Sequence, residues 1–283
     1  MSYAEVLIPA QPAPPQTMKR LSKARVAGYF FLALWALLGI ALIAMMITNW
    51  DNEKFFKFGP RFLHGLGITV QLVVLSFILG AILSLPLAFA RMAKTALPKW
   101  LARSLNGLAY CYVYLFRGTP LLAQIFMVYY GFPQARPFLE SIGVWWFFRD
   151  PFNCGLFAMT LNTAAYQAEI VRGAIQSVPR GQGEAAASLG IHKTVAFYKI
   201  IMPQALIVAL RPYGNEIILL IKSSAIVSII TVYDLMGETR YAFSQTYDYQ
   251  TYLWAAIFYL SIVELMRNGW AKMEAYLTRH LKR

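Results

Sequence analysis

Apolar residues gather into long runs along this chain, with little short-period alternation of polar and apolar positions. Six runs stand out, at 26–47, 66–90, 110–130, 156–174, 205–230 and 253–266. A helix needs about 20 apolar residues to cross a hydrocarbon layer about 30 Å thick. The runs predict six membrane-crossing helices, of which the last is the weakest, and an all-α fold: a polytopic helical bundle. The third run is interrupted by FRGTPLLAQ, where Arg117, Gly118 and Pro120 all oppose a regular lipid-facing helix. The preferred reading starts the crossing near Gly118, with Arg117 at the cytoplasmic surface and 105–116 as an interfacial lead-in. The alternative is a helix broken where it lines a cavity.

Composition agrees with lipid as solvent. For 283 residues, 58% hydrophobic, 14% charged and a mean hydropathy of +0.49 do not suit a soluble domain. The net charge of +13 raises the question of nucleic acid, and the placement of the basic residues answers it. Lys19, Arg20, Lys23 and Arg25 precede the first run; Arg91, Lys94, Lys99 and Arg103 follow the second. Arg180, Lys193 and Lys199 follow the fourth, and Arg267, Lys272, Arg279, Lys282 and Arg283 the sixth. The other loops are mixed or acidic, as at Asp234, Glu238, Arg240 and Asp248. The positive-inside rule then places both termini in the cytoplasm and makes the basicity a matter of topology, with no nucleic-acid partner.

The first run is too long for a signal peptide and lacks a small-residue cleavage pattern, so it reads as a retained helix. Residues 1–17 are proline-rich and patternless, part of a flexible cytoplasmic tail over 1–25; 276–283 form a basic tail. The aromatic run Trp145, Trp146, Phe147 and Phe148 suggests a short interfacial helix. Cys111 and Cys154 fall near opposite surfaces, which excludes a disulfide between them. His64, His192 and His280 are scattered, so neither a metal site nor a nucleophile with its base is expected.

One cytoplasmic stretch departs from a plain loop: EAAASLGIHKTVAFYKIIMPQAL, residues 184–206. Pro179 and Gly183 prepare a helix with Glu184 in its first turn, and Gly190 suits a left-handed stop. A second helix is expected from about 192 to 201, with Pro203 in the first turn of the fifth crossing. Ala185, Ala186 and Leu189 share one face, and Val195, Phe197, Tyr198 and Ile200 make the second helix apolar. Such a face in water needs a cover, either the chain's own bundle or another protein.

Charges inside membrane segments also ask for a role. Asn162, Tyr166, Glu169 and Gly173 follow i, i+4, i+7 and i+11, one stripe of a helix. This is either a path wall in which Glu169 attracts a cation, or interhelical bonding with a local Glu169–Arg172 pair. Asn215, Glu216, Lys222 and Ser223 raise the same choice in the fifth run, where Lys222 needs a partner, Glu216 or a substrate carboxylate. Glu264 reads as a buried structural acid or a misplaced span end.

The hairpin's spacing resembles the EAA signature of the membrane subunits of bacterial ATP-binding-cassette importers: Glu184, Ala185, Ala186, then Gly190, Ile200 and Pro203. Six such matches at fixed spacing arise by chance about once per ten million starts at average residue usage. RGTPLLAQ at 117–124, TLNTAAYQAEIVRGAI at 160–175 and YGNEIILLIKSSAIVSI at 213–229 resemble the polar amino acid branch. NCGLFAMTLNTAAY and QTYDYQTY are most similar to permeases for histidine, lysine, arginine and opines.

The resemblance runs from about residue 65 to the C-terminus. It implies a five-helix transmembrane domain over 64–275, a coupling loop at about 178–203, and an added N-terminal helix at 26–48. It also implies an inner-membrane permease importing polar, basic amino acids or opine-like derivatives by alternating access. The implied partners are two ATPase subunits, a second permease (a paralogue or a copy of this chain) and a periplasmic substrate-binding protein. The chain has no GxxxxGK[ST] loop, so ATP and Mg would sit on the ATPase and the chain itself would be non-catalytic. Glu184, Ala185, Ala186, Leu189, Gly190, Ile200 and Pro203 become the coupling candidates. Arg117, Gln124, Asn162, Tyr166, Glu169, Asn215, Glu216 and Lys222 become the substrate-path candidates. The rival from another class is a stand-alone membrane enzyme or channel using Glu169, Glu216 and Lys222.

Overall fold

A computed structural model describes residues 23–48, 50–92 and 98–279. The expectations about the 1–17 tail, Lys19, Arg20, Lys94, His280, Lys282 and Arg283 fall outside those residues. Regular structure among the described residues is helical throughout, and it divides at Asp51 into two units. The first is α1 (Lys23–Thr48), apolar around its whole circumference with no buried residue, as suits a helix solvated by lipid.

The second unit begins with α2 (Asn52–Met92), a 41-residue helix that starts well before the expected 66. Polar residues of its first turns are held by tertiary partners. Lys54 meets Asp248 at 2.9 Å, and Arg61 donates to the buried Glu238 at 2.7 Å while stacking on Tyr241. The Lys54 ammonium holds the Asp248 carboxyl below the usual carboxylate range.

Helix α2 packs most extensively on α7 (Pro151–Ser177). Ser76, Gly80, Ser84 and Ala88, spaced every four residues and all buried, present a line of small side chains to α7. A Cβ on Gly80 would overlap the Thr163 methyl. In lipid, helix association rests on such close approach rather than on hydrophobic exclusion. Around this pair sit α3 (Lys99–Gly118), α4 (Leu121–Phe126), α10 (Met202–Ser224), α11 (Leu235–Thr246) and α12 (Gln250–Leu277). Leu72, Ile125, Met159, Ile221 and Ile230 join in one buried core.

Among the described residues three segments are long and apolar enough by composition to cross a membrane: Lys23–Thr48, Asn52–Met92 and Lys193–Ile230. The third expected crossing is a pair of helices bent by 106° at Thr119 and Pro120. Helices α7 and α12 are long enough, at 27 and 28 residues, and polar positions such as Asn162 and Gln167 keep α7 below that composition. Beyond α4 the chain relaxes through a wide turn, Met127–Gly131, into α5 (Arg136–Ser141) and α6 (Trp145–Phe148), the short aromatic helix expected there. Asp150 caps α7, accepting from the Phe152 and Asn153 amides. Of the two readings of Glu264 the buried acid is excluded: it is not buried and bonds Arg267 and Asn268 along its own helix.

Candidate functional site

Two regions hold the candidate residues. The first is the break between α3 and α4. Pro120 has no N–H, so the Phe116 carbonyl loses its helical partner. Gln124 Nε2 donates to that carbonyl at 2.9 Å and also to the Thr119 carbonyl and hydroxyl. Asn162 Nδ2 reaches the same Phe116 oxygen at 3.0 Å and the Gln124 Oε1 at 3.0 Å. Gln124 and Asn162 thus satisfy the backbone that the break exposes, as a membrane interior demands.

The break lines a cavity of about 440 Å³ whose other walls are α7 and α10; Arg117, Thr119, Asn162, Tyr166, Glu216 and Ser223 supply its polar surface. The cavity is what the broken-helix reading expects, and Arg117, beside Arg91 and Glu169 at the end of α2, is what the lead-in reading expects; the two features occur together. Helix α3 packs on α2 and α7, with Ala109 and Val113 buried and the Tyr112 hydroxyl bonded to the Leu161 carbonyl at 2.8 Å.

Glu169 is not a free carboxylate. Arg172 binds both its oxygens, with contacts down to 2.6 Å; Arg91 reaches it at 3.3 Å and Arg117 at 3.9 Å. Three guanidinium groups around one carboxylate leave local positive charge and tie α2, α3 and α7 together at Glu169. Arg91, placed by sequence in a cytoplasmic flank, is a partner that reading missed. Its only signal was the end of an apolar run, 78 residues from Glu169. Tyr166 stacks under Arg117 at 5.1 Å and borders both this network and the cavity, so the expected stripe of α7 exists.

Glu216 is buried and accepts from Thr163 Oγ1 at 2.8 Å, a partner also missed. Asn215 is exposed on the face of Leu219. Lys222 is brought neither to Glu216 nor to the cavity: it is exposed and opens on a separate groove beside α12. Six residues of helix put it about 9 Å along the axis from Glu216 and about a third of a turn away, which rules out the expected pair.

The second region is the hairpin. Helix α8 runs from Arg180 to Ser188, so Glu184 lies in its second turn and not its first. Gly190, at φ +70°, ends it: the Ile191 amide bonds the Ala186 carbonyl and the Gly190 amide that of Ala187, a Schellman closure. His192 caps the return helix α9 (Lys193–Ala196), its Nδ1 accepting from the Thr194 amide at 3.3 Å.

The return arm is not a separate helix to 201. It passes through a wide turn, Phe197–Ile201, directly into α10. Pro203 cannot donate, and a locally widened register absorbs the missing bond without breaking the rod. Gln204 Nε2 covers the Ile200 carbonyl at 2.9 Å.

Ala186 and Ala196 are buried between the two arms, while Phe197 packs on Phe89 of α2. On the outer side Leu189 is 78% exposed, Tyr198 60% and Val195 50%, and Ala185 and Glu184 are open beside them. Ile200 is half-buried and Pro203 exposed. Among the described residues the bundle does not cover this face.

The model of the family described as "Binding-protein-dependent transport system inner membrane component" matches residues 96–272. The nopaline transport system permease protein NocM of Agrobacterium fabrum is 38% identical over 233 residues, 82% of this chain and 94% of that protein. The arginine ABC transporter permease protein ArtM of Escherichia coli is 35% identical over 213 residues, covering 75% and 91%. Among solved structures, a chain of an amino acid ABC transporter crystallised with histidines superposes with a TM-score of 0.65 at 33% identity, covering 81% of this chain and 98% of that one. The MetNI methionine ABC transporter, at 18% identity and a TM-score of 0.62, shares the fold. With the bundle, the broken helix and the hairpin all in place, this chain belongs to the binding-protein-dependent transport system inner membrane components, the permeases of ATP-binding-cassette importers.

Proposed function

We propose that this chain is the permease subunit of an ATP-driven importer for amino acids or opines in the bacterial inner membrane. The observation that carries the coupling half of this reading is the hairpin face. Leu189, Val195 and Tyr198 stay in water at a site fixed in shape by Gly190. A partner must cover them, and an ATPase subunit is the partner that the family's chemistry requires. The relatives named for nopaline and arginine support the substrate class.

The cavity beside the break supports a zwitterionic solute, since it sets the half-exposed Arg117 and the buried Glu216 in one wall system. Arg117 would take the carboxylate and Glu216 the ammonium group, with Asn162, Tyr166 and Ser223 bounding the site. A second permease and a periplasmic binding protein complete the assembly, and ATP and Mg belong to the ATPase. The basic flanks that remain among the described residues, Lys23, Arg25, Arg91, Lys99, Arg103, Arg180, Lys193, Lys199, Arg267, Lys272 and Arg279, support cytoplasmic termini. A stand-alone enzyme or channel is not supported: Glu169 is saturated by arginines, Glu216 faces the cavity and Lys222 faces elsewhere.

The test is reconstitution in proteoliposomes with the cognate ATPase, second permease and binding protein. Uptake of radiolabelled arginine or nopaline is expected only with internal ATP and all subunits. Uptake by the permeases alone would overturn the reading.

A further inference from the structure

We propose that the groove between α10, α11 and α12 holds one chain of an anionic membrane lipid, with Lys222 binding its phosphate. The groove measures about 440 Å³, and its walls are Ala225, Met236, Ala256, Tyr259, Leu260 and Val263. Among the described residues Lys222 is its one cation. The side chain is exposed, and among the described residues no hydrogen bond or ion pair reaches it. The Tyr259 hydroxyl is already committed to Asp234, at 3.3 Å. What remains is an apolar trough ending in one ammonium group, the complement of a molecule with one anionic head and an apolar tail.

Depth supports the same occupant. A bare ammonium group in hydrocarbon is expensive, and long side chains escape by reaching the headgroup layer. Tyr259, which shares the groove with Lys222, bonds Asp234, and the next amide, Leu235, bonds Thr69 Oγ1 at 3.1 Å. Thr69 is the fourth residue of the apolar run 66–90, so the Asp234 side of the groove lies near the edge of that run, and Lys222 is two residues from the end of α10 remote from the hairpin. Direction separates it from a protein seam. Glu216, Leu219, Leu220 and Ser223 of α10 face the cavity, and Lys222 points about 120° round the helix from Glu216. The inference rests on the reading of that cavity as the transport path: the second permease then covers the cavity side, and the Lys222 side is left to lipid.

The experiment is native mass spectrometry of the full chain in detergent, titrated with palmitoyl-oleoyl phosphatidylglycerol or the matching phosphatidylcholine. One lysine at a membrane surface is worth about 1 kcal/mol, so phosphatidylglycerol adducts are expected to be retained about fivefold better. Lys222→Ala should erase that preference and Lys222→Arg should keep it. Ala256→Trp, at an exposed position that fills the trough, should reduce adducts of both lipids. An unchanged preference in Lys222→Ala, or unchanged adducts in Ala256→Trp, overturns the proposal. So does a Lys222→Ala chain that loses a two-chain particle while keeping its lipid preference, because the groove then belongs to the second permease. No transport is measured here. A negative result leaves the path reading standing, whereas Arg117→Ala and Glu216→Gln chains with full uptake would overturn that reading and leave the lipid result as it is.

Discussion

The break at Thr119–Pro120 and the hairpin around Gly190 are both interruptions of helical structure, and they treat their surroundings in opposite ways. At the break three carbonyls find side-chain partners inside the chain: Gln124 and Asn162 converge on that of Phe116, Gln124 also reaches that of Thr119, and the Thr119 hydroxyl donates to that of Leu115. At the hairpin the backbone is closed by Gly190, yet Leu189, Val195 and Tyr198 are left uncovered. The first region is packed among helices beside a cavity, where a buried polar group left unpaired costs about 1–3 kcal/mol. The second is exposed, and its apolar face is open to a partner. Completeness within the chain therefore marks a part built for shape, and incompleteness marks a part built for contact.

The comparison breaks most readily at Gly190. A β-branched residue at φ +70° is strained by about 1–2 kcal/mol, and the Schellman closure fails. Gly190→Val should leave the bundle folded and inserted, because α8 contributes little to its core. The outer face would be misplaced by a local rearrangement, and losing one well-packed anchor of about 2 kcal/mol lowers docking roughly thirtyfold. ATP-driven uptake in proteoliposomes is expected to fall at least that far while the melting temperature of the permease stays near wild type. Full uptake would show that the hairpin is a spacer and not a contact.

These two regions were unequally legible in the sequence. Gly190 was readable because only glycine sits easily at a left-handed stop, and the uncovered face in part: Ala185 and Leu189 are open as their spacing suggested, whereas Ala186, expected on the same face, is buried. The wide turn at Phe197–Ile201 was not: Pro203 looks the same at the start of a new helix and after a widened register within an old one. The Glu169–Arg172 pair was local and visible at i+3, while Arg91 and Arg117 reach Glu169 only through tertiary packing. The early start of α2 was hidden for the same reason, since the partner of Arg61 is Glu238, 177 residues away. Six apolar runs foretold the helices, and FRGTPLLAQ held open a break lining a cavity, but the angle of 106° was not readable from either.

A second substitution sharpens the other side of the comparison. Gln124→Leu removes three donated hydrogen bonds at the break and leaves the Thr119 carbonyl without its side-chain donor. Asn162 still serves Phe116, so the cost should fall within the range for one or two buried unsatisfied groups, about 1–3 kcal/mol. The expected result is a lower melting temperature in detergent, with a further drop in the Gln124→Leu, Asn162→Leu double variant larger than the two single effects predict. Additive losses would mean that the two amides do not share the Phe116 carbonyl, and the break would no longer count as internally complete.

The smallest effect on stability is expected at Leu189. Its side chain is 78% exposed, so replacing it with serine removes little buried area, and surface changes of this kind stay within about 0.5 kcal/mol. Leu189→Ser should therefore melt with the wild type, in contrast to Gln124→Leu. It should nevertheless weaken recruitment of the ATPase subunit, because the methyl groups it deletes are those a docking groove would desolvate, at roughly 25 cal/mol per Å². Co-purification and ATPase activity in the assembled complex measure this directly. A complex of undiminished affinity would place the contact elsewhere on the hairpin, at Val195 and Tyr198, whereas a fall in melting temperature without a change in docking would mean that Leu189 is covered by its own bundle after all. The two readouts pull apart only if the face is incomplete by design, which is the distinction between the hairpin and the break.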